Sequence, residues 1–254
     1  MPSSNEFGIY SIYSTDFIRE QYMAKDFSNI QVVQSYDQHI RKLIPGYELI
    51  HLQIQSLLHC LINEKRSAQA TILIAGCGTG YELEYLVDLF PQAHFVALDP
   101  SAEMIEFAKK RLQHKSKITQ MDWIVGDTTA LHEYCEAHSI NFDCILSILV
   151  SHFIQNGNKP QFLHDLYQSL NSGGVCLSYE LTQIENQFEQ NCLAQLALKT
   201  GLVQAQVDAM FQRLASDFAL VSADEMQNLY LKAGFNKVKS FSQVLNYYGF
   251  IAYR

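Results

Sequence analysis

The chain has 254 residues, of which 48% are hydrophobic and 17% charged, and its formal net charge is −8. This length fits one large domain with a substantial core, or one domain with a cover. The negative charge argues against a surface that binds the phosphates of nucleic acid. It does not exclude a tRNA substrate that is bound through a local patch. No stretch approaches the roughly 18 apolar residues of a membrane span, so we expect no membrane partner.

Six cysteines are scattered through mostly apolar segments and include no C-x-x-C pair. Reduced, buried thiols in a cytosolic protein are expected from this pattern. The N-terminus also lacks the apolar core of a signal peptide. These features predict a cytoplasmic protein without a metal site.

Strand patterns alternate with helix patterns from residue 71 onward, which predicts a parallel sheet covered on both faces. The predicted strands of this part are 71–75, 94–98, 121–126, 142–149 and 175–180. Helices are predicted over 80–89, 101–113 and 159–170. A further helix over 223–233 precedes two strands, 237–243 and 247–253. These two strands lie too close together for a helical crossover, so we expect them to pair antiparallel.

Two helical segments, 1–66 and 183–222, lie outside this alternating pattern. Both are expected at the carboxyl edge of the sheet, where ligands bind in open α/β folds. The predicted organisation is an N-terminal helical lid (1–66), a ligand-binding core (67–182), a helical insertion that completes the lid (183–222), and a C-terminal helix with the antiparallel strand pair (223–254).

The most informative segment is a glycine-rich turn, Gly76–Gly80, that directly follows a buried strand. Glycine lets the backbone turn sharply and approach a ligand closely, and the helix after the turn points free N–H groups at that ligand. Asp99 ends the next strand, where its carboxylate can accept two ribose hydroxyls. Together these residues predict a nucleoside site, whereas the glycines alone would also fit a plain strand-to-helix turn.

The spacing of the glycines excludes two kinds of nucleotide site. The turn reads G-x-G-x-G, not the G-x-G-x-x-G of dinucleotide-binding folds, and the chain has no G-x-x-x-x-G-K-[ST] phosphate loop. With Asp99, Asp127 and the late antiparallel pair, the turn resembles the class I S-adenosylmethionine (SAM) methyltransferases over roughly residues 70–254. This resemblance implies an α/β fold: a Rossmann-like, seven-stranded sheet that is mostly parallel, with an antiparallel last strand and a helical lid.

The resemblance also implies which residues hold SAM. Gly76, Cys77 and Gly78 would line its methionine part, and Asp99 would hold the ribose hydroxyls. Ser147 lies at the end of the fourth strand, where a backbone carbonyl of such enzymes usually meets the SAM amino group.

A second group of residues is implied around the adenine. Pro100 and Met104 would flank the ring, and Asp127 would accept from its amino group with Thr128 alongside. Tyr47 would reach in from the lid.

The lid segment Ile44-Pro-Gly-Tyr-Glu48 is similar to that of carboxy-SAM synthases and related small-molecule methyltransferases, and two features depart from those families. Ile74 stands where an acid normally precedes the first glycine. The arginine that carboxy-SAM synthases use for the extra carboxylate aligns near Phe211, two residues before Arg213. Two residues along a helix are about 200° apart, so Arg213 is expected to point elsewhere.

His152 and Glu180 are the candidate catalytic residues. In-line methyl transfer depends strongly on positioning and needs only a modest base. His152 follows the fourth strand and histidine titrates near neutral pH, whereas Glu180 ends the fifth strand as a base or as a partner for a cationic substrate. The alternatives are a hydrogen-bonded structural histidine and an anchoring carboxylate.

Three functions follow from these observations. The first is a SAM-dependent methyltransferase that acts on a small molecule by direct in-line transfer, working as a homodimer like other lid-bearing enzymes of this type. The second is a carboxy-SAM synthase-like enzyme of tRNA wobble-uridine modification. The third is a non-catalytic SAM-binding protein, motivated by Ile74 in place of the acid.

Overall fold

A computed structural model describes residue 37 and residues 40–64, 69–115 and 120–254. Much of the predicted N-terminal lid (1–66) therefore lies outside the described residues. Within the described part of the chain, no helix is both long and apolar enough to cross a membrane.

Seven strands form one sheet in the order β3-β2-β1-β4-β5-β7-β6. Their bounds are β1 Thr71–Ala75, β2 His94–Asp99, β3 Gln120–Val125, β4 Phe142–Ile148, β5 Leu170–Leu181, β6 Lys237–Val244 and β7 Tyr247–Tyr253. Strands β1 to β5 pair parallel, and β7 pairs antiparallel with both β5 and β6. The predicted fold class and the antiparallel pairing of the last strands are confirmed.

Eight α-helices surround the sheet in the described residues. Their bounds are α1 Tyr47–Glu64, α2 Tyr81–Leu89, α3 Ala102–Leu112, α4 Thr128–His138, α5 Lys159–Ser169, α6 Gln187–Lys199, α7 Gln204–Ser216 and α8 Ala223–Ala233. A short 3₁₀ turn, Ser151–Phe153, follows β4. Helix α4 was not predicted from the sequence. The insertion, predicted as one helical segment, contains two helices, α6 and α7.

The two faces of the sheet are both buried, as the near-continuous apolar sequences of β1 and β4 indicate. Successive residues of β1 alternate between faces: Ile72 and Ile74 join one hydrophobic cluster, while Leu73 and Ala75 join the other. Helices α4, α5 and α8 cover the second cluster, and α1, α2, α3, α6 and α7 contribute to the first. The strand ends are thus fixed from both sides.

Hydrogen bonds tie the helical insertion and β5 to the chain that precedes α1. The Thr200 hydroxyl donates to the Lys42 carbonyl (3.1 Å), and the Tyr179 hydroxyl donates to the Pro45 carbonyl (3.4 Å). The insertion and the segment before α1 therefore pack on the same side of the molecule.

Candidate functional site

A cavity of about 680 Å³ opens at the carboxyl ends of the central parallel strands. It lies where the strand order reverses, between β1 and β4, which is where ligands bind in open α/β sheets. Seven of the ten residues predicted to hold a cofactor line it: Gly76, Gly78, Asp99, Pro100, Met104, Asp127 and Thr128.

Tyr47, Cys77 and Ser147, the other three predicted residues, do not line this cavity. Tyr47 is buried against His51 and Tyr81, with ring centroids 4.5 Å and 5.5 Å away. Cys77 is buried in the glycine-rich turn, and burial raises the pKa of its thiol well above the usual value. Ser147 is buried on the sheet, and its hydroxyl has no hydrogen-bond partner among the described residues.

Two glycines of the turn have different surroundings. Gly76 has a φ of +78°, and a Cβ on it would lie 2.5 Å from Cγ2 of Val150. Gly78 has a φ of +50°, but no heavy atom lies within 4 Å of where its Cβ would be. Gly76 therefore allows close packing of the turn against Val150, whereas Gly78 leaves free space beside the cavity that it lines.

Asp99 fixes the turn from the end of β2. One carboxylate oxygen accepts from the Gly78 amide (2.8 Å) and the other from the Ser101 amide (2.9 Å). Burial raises the pKa of Asp99, and these two backbone donors oppose that rise. Because each carboxylate oxygen can accept a second bond, Asp99 keeps the capacity to bind hydroxyl groups in the cavity.

A second polar region of the cavity joins α4 and α5. Asp127 caps α4 by accepting from the Thr129 amide (2.9 Å). The Thr128 hydroxyl donates to Asp165 (2.6 Å), which also accepts from the Gln161 amide group (2.7 Å). Asp165 and Gln161 line the cavity but belong to no motif, so the sequence offered no signal for them.

Arg213 lines the cavity as well, although it was expected to point elsewhere. Its Nε donates to Asp217 (3.0 Å), and its guanidinium lies over the ring of Phe218 at 5.6 Å. The expectation was wrong because it took the direction of Arg213 from an alignment near Phe211. In the structure, Phe211 packs against the hydrophobic core and the last turn of α7 turns Arg213 toward the cavity.

The two predicted catalytic residues are buried and do not line the cavity. Burial lowers the pKa of His152 to about 3. Burial raises the pKa of Glu180 to about 8, against the opposing effects of its hydrogen bonds from Ser151 and the charge of Lys159. A pKa of about 3 makes the His152 imidazole a weak base, and a pKa of about 8 keeps most of the Glu180 carboxyl protonated near neutral pH, so burial disfavours both base assignments.

No group of three or more metal-ligating side chains occurs in the part of the chain that the structure describes. None of the six cysteines forms a disulfide bond in the structure.

Comparison with known proteins finds similarity to methyltransferases over the region that carries this cavity. Residues 73–176 match the family model described as a methyltransferase domain. The chain is 24% identical over 241 residues to the carboxy-S-adenosyl-L-methionine synthase of Campylobacter curvus, covering 93% of this chain and 96% of that protein. It is 23% identical to the enzyme of the same name from Trichodesmium erythraeum, over 89% and 87% of the two chains.

Solved structures agree in fold. A protein of Nostoc punctiforme, proposed to be an O-methyltransferase, superposes with a TM-score of 0.60 at 14% identity. The match covers 89% of this chain and 60% of that protein, so the chain spans well under two thirds of its length. An O-methyltransferase family protein from Burkholderia thailandensis superposes with a TM-score of 0.54 at 12% identity, over 73% and 51% of the two chains.

Proposed function

We propose that this chain transfers a methyl group from SAM to a small molecule, since residues 73–176 match the model of a methyltransferase domain and the chain is similar to carboxy-S-adenosyl-L-methionine synthases. The observation that carries the proposal is the cavity at the strand-order reversal, in which the glycine-rich turn, Asp99 and Asp127 meet. SAM, when bound, supplies an electrophilic methyl group on a sulfonium.

The residues present fit SAM. The free space beside Gly78 admits a close ligand, and Asp99 has unused acceptor capacity for the ribose. Pro100, Met104 and Asp127 also line the cavity. We propose that Pro100 and Met104 flank the adenine and that Asp127 accepts from its amino group. Ile74 leaves the SAM ammonium without the usual acid on β1, so we propose that backbone carbonyls near Ser147 hold it.

The acceptor is proposed to bind between α7 and the turn after β4. This part of the cavity combines the rings of Phe153, Phe162 and Phe218 with the Arg213–Asp217 ion pair. Asp217 accepts a hydrogen bond from the Nε of Arg213. The two terminal nitrogens of this guanidinium can therefore bind an anionic or carbonyl group of the acceptor. We therefore propose an acceptor with an apolar or aromatic body and one such group.

A helical lid over the cavity is also part of the proposal. Residues 183–222 supply Arg213, Asp217 and Phe218 to the cavity wall, and the Thr200–Lys42 hydrogen bond joins them to the N-terminal segment. We propose that segments 1–66 and 183–222 together close the acceptor side, since excluding water aids methyl transfer.

His152 and Glu180 enter the proposal through position and not as proton acceptors. Both belong to the buried surroundings of the 3₁₀ turn that carries Phe153. Substituting either residue by alanine is expected to slow methyl transfer more than it weakens SAM binding.

Two experiments test the proposal. Calorimetry with SAM measures binding directly. If no SAM binding is detected, the proposed function is wrong. Incubation with SAM carrying a radiolabelled methyl group, together with the low-mass and macromolecular fractions of a cell extract, then identifies the acceptor class. Label in the low-mass fraction is expected; label confined to macromolecules would contradict a small-molecule acceptor.

Carboxy-SAM synthase-like chemistry is the second candidate, and Arg213 in the cavity wall favours it together with the relatives of that name. Calorimetry with SAM and carboxy-SAM, on the natural chain and on Arg213→Met, separates the two. Under this alternative, Arg213→Met weakens carboxy-SAM binding selectively, whereas Lys237→Met, on the edge strand β6, changes neither affinity. Under the leading proposal the natural chain prefers SAM.

Two finer proposals concern location and assembly. Six cysteines that form no disulfide bond agree with a reducing compartment, so we propose a cytoplasmic enzyme. We also propose a homodimer. It is supported by two exposed leucines on α1, Leu49 and Leu52, which have 53% and 58% of their surface exposed. Light scattering coupled to size exclusion tests the assembly.

A further inference from the structure

The turn after β4, residues 149–154, joins the cofactor side of the cavity to its acceptor side. Leu149 has a φ of +59°, a conformation that costs a non-glycine residue about 1–2 kcal/mol. Its amide donates to the Tyr179 carbonyl (2.7 Å). Val150, next in the chain, packs where a Cβ on Gly76 would lie. The turn contributes four lining residues: Leu149, Val150, Phe153 and Ile154.

Two buried ionisable side chains hold this turn. Glu180 accepts from both the amide (3.2 Å) and the hydroxyl (2.5 Å) of Ser151. Lys159, at the start of α5, donates to the carbonyls of Ser151 (2.7 Å) and Ile154. Every one of these bonds ends on the same turn.

Burial makes Lys159 unusual, because only 1% of its surface is exposed. Burial lowers its pKa, while the carboxylates of Glu180 and Glu225 raise it. A buried ammonium is costly unless it is hydrogen-bonded. This one donates to the Ile154 carbonyl and to the Ser151 carbonyl, which also accepts from the Ile154 amide (3.0 Å).

The turn also contacts the helical insertion. The Ala219 amide donates to the His152 carbonyl (2.9 Å), and the ring of Phe218 lies 5.1 Å from His152 and 5.4 Å from Phe153. A shift of the turn would therefore move the Gly76 side and the Phe218 side of the cavity together.

We propose that Lys159, acting with Glu180 and Ser151, is a positioning residue that holds the strained 149–154 turn in the shape required for SAM and acceptor to bind. The inference rests on the proposed function for its SAM readout, and on the fold alone for its readout in the protein without ligand.

The first experiment is hydrogen exchange on the protein without ligand, for Lys159→Met, Lys159→Arg and the surface control Lys237→Met. Lys159→Met is expected to speed exchange in peptides covering 149–155 and 217–221 and to leave β1 unchanged. Lys159→Arg, which keeps a donor for both carbonyls, is expected to retain most of the protection. Unchanged exchange at 149–155 in Lys159→Met would overturn the proposal whether or not SAM binds.

Ser151→Ala provides the same test if Lys159→Met does not fold. It removes the hydroxyl bond to Glu180, together with a 3.9 Å contact to the Met226 sulfur, and leaves the amide bond to Glu180 in place. Faster exchange confined to the turn and to 217–221 supports the proposal, and exchange like that of the natural chain contradicts it.

The second experiment measures SAM affinity in a cycle that combines Lys159→Met with Leu149→Ala or Leu149→Gly. Both substitutions at 149 remove the side chain, but only glycine adopts φ +59° without strain. Lys159→Met is expected to raise the SAM Kd about tenfold beside Leu149→Ala and less than threefold beside Leu149→Gly. Equal ratios would show that Lys159 supports the fold in general and does not hold the strained turn.

Discussion

Gly76 and Gly78 are two residues apart in the same turn, yet the structure predicts opposite consequences for alanine at each. At Gly76, alanine must adopt φ +78°, which costs about 1–2 kcal/mol, and its Cβ meets Val150 at 2.5 Å. Relieving such an overlap in a packed site costs about 1–3 kcal/mol more. After the gain of about 0.4–1 kcal/mol from a less flexible unfolded chain, Gly76→Ala should lose about 2–4 kcal/mol of stability.

Gly78→Ala carries only the backbone cost, because φ is +50° and nothing lies within 4 Å of the new Cβ. The same gain in the unfolded state leaves a net loss of about 1 kcal/mol or less. Its effect should appear in binding instead: a methyl group in the space proposed for the methionine part of SAM should raise the Kd at least about tenfold, or about 1.4 kcal/mol.

Urea unfolding and calorimetry with SAM, run on both variants, measure the two effects separately. Gly76→Ala should show the larger fall in the free energy of unfolding, and Gly78→Ala should keep its stability while losing SAM affinity. The reasoning is refuted if the two variants lose equal stability, or if Gly78→Ala binds SAM as the natural chain does.

Three further predictions concern other parts of the site. Asp99→Asn removes a charged acceptor of the ribose and leaves either the Gly78 or the Ser101 amide without its acceptor, so it should raise the SAM Kd about tenfold or more in calorimetry and also lower the melting temperature; an unchanged Kd would exclude Asp99 from the site. Glu180 has a folded-state pKa of about 8 against 4.5 in the unfolded chain, so its stabilising contribution is complete below pH 4.5 and is lost as pH rises through 8. Between pH 5 and 8, the melting temperature of Glu180→Gln should therefore fall less steeply with rising pH than that of the natural chain. Equal slopes for the two proteins would contradict the raised pKa. Tyr230 donates from its buried hydroxyl to Ser178 (2.7 Å), so Tyr230→Phe should lose about 1–2 kcal/mol in urea unfolding; no loss would mean that Ser178 finds another partner.

Local sequence patterns were sufficient to predict the strands of the sheet and the residues on one side of the cavity. Strands buried on both faces carry continuous apolar sequences, and the short connection between β6 and β7 permits only an antiparallel pair. The glycine-rich turn and Asp99 also lie at strand ends, and the parallel topology brings such ends to one edge. Their meeting in the cavity therefore follows from the order of the elements alone.

Side-chain direction and burial depended on contacts between distant segments. Arg213 reaches the cavity because α7 packs with its core face on the hydrophobic cluster, and the distance of a residue from an aligned position does not reveal that rotation. His152 and Glu180 occupy the expected strand ends, but the insertion and α5 bury them. Burial lowers the pKa of His152 and makes it a weaker base, and it raises the pKa of Glu180 to about 8, so that most of this carboxyl is protonated near neutral pH. Periodicity and chain order were enough to predict the fold and the edge of the sheet at which the cavity opens. Only the tertiary structure decided which polar groups face the cavity and which are buried, because desolvation and helix rotation are set by packing between residues far apart in the chain.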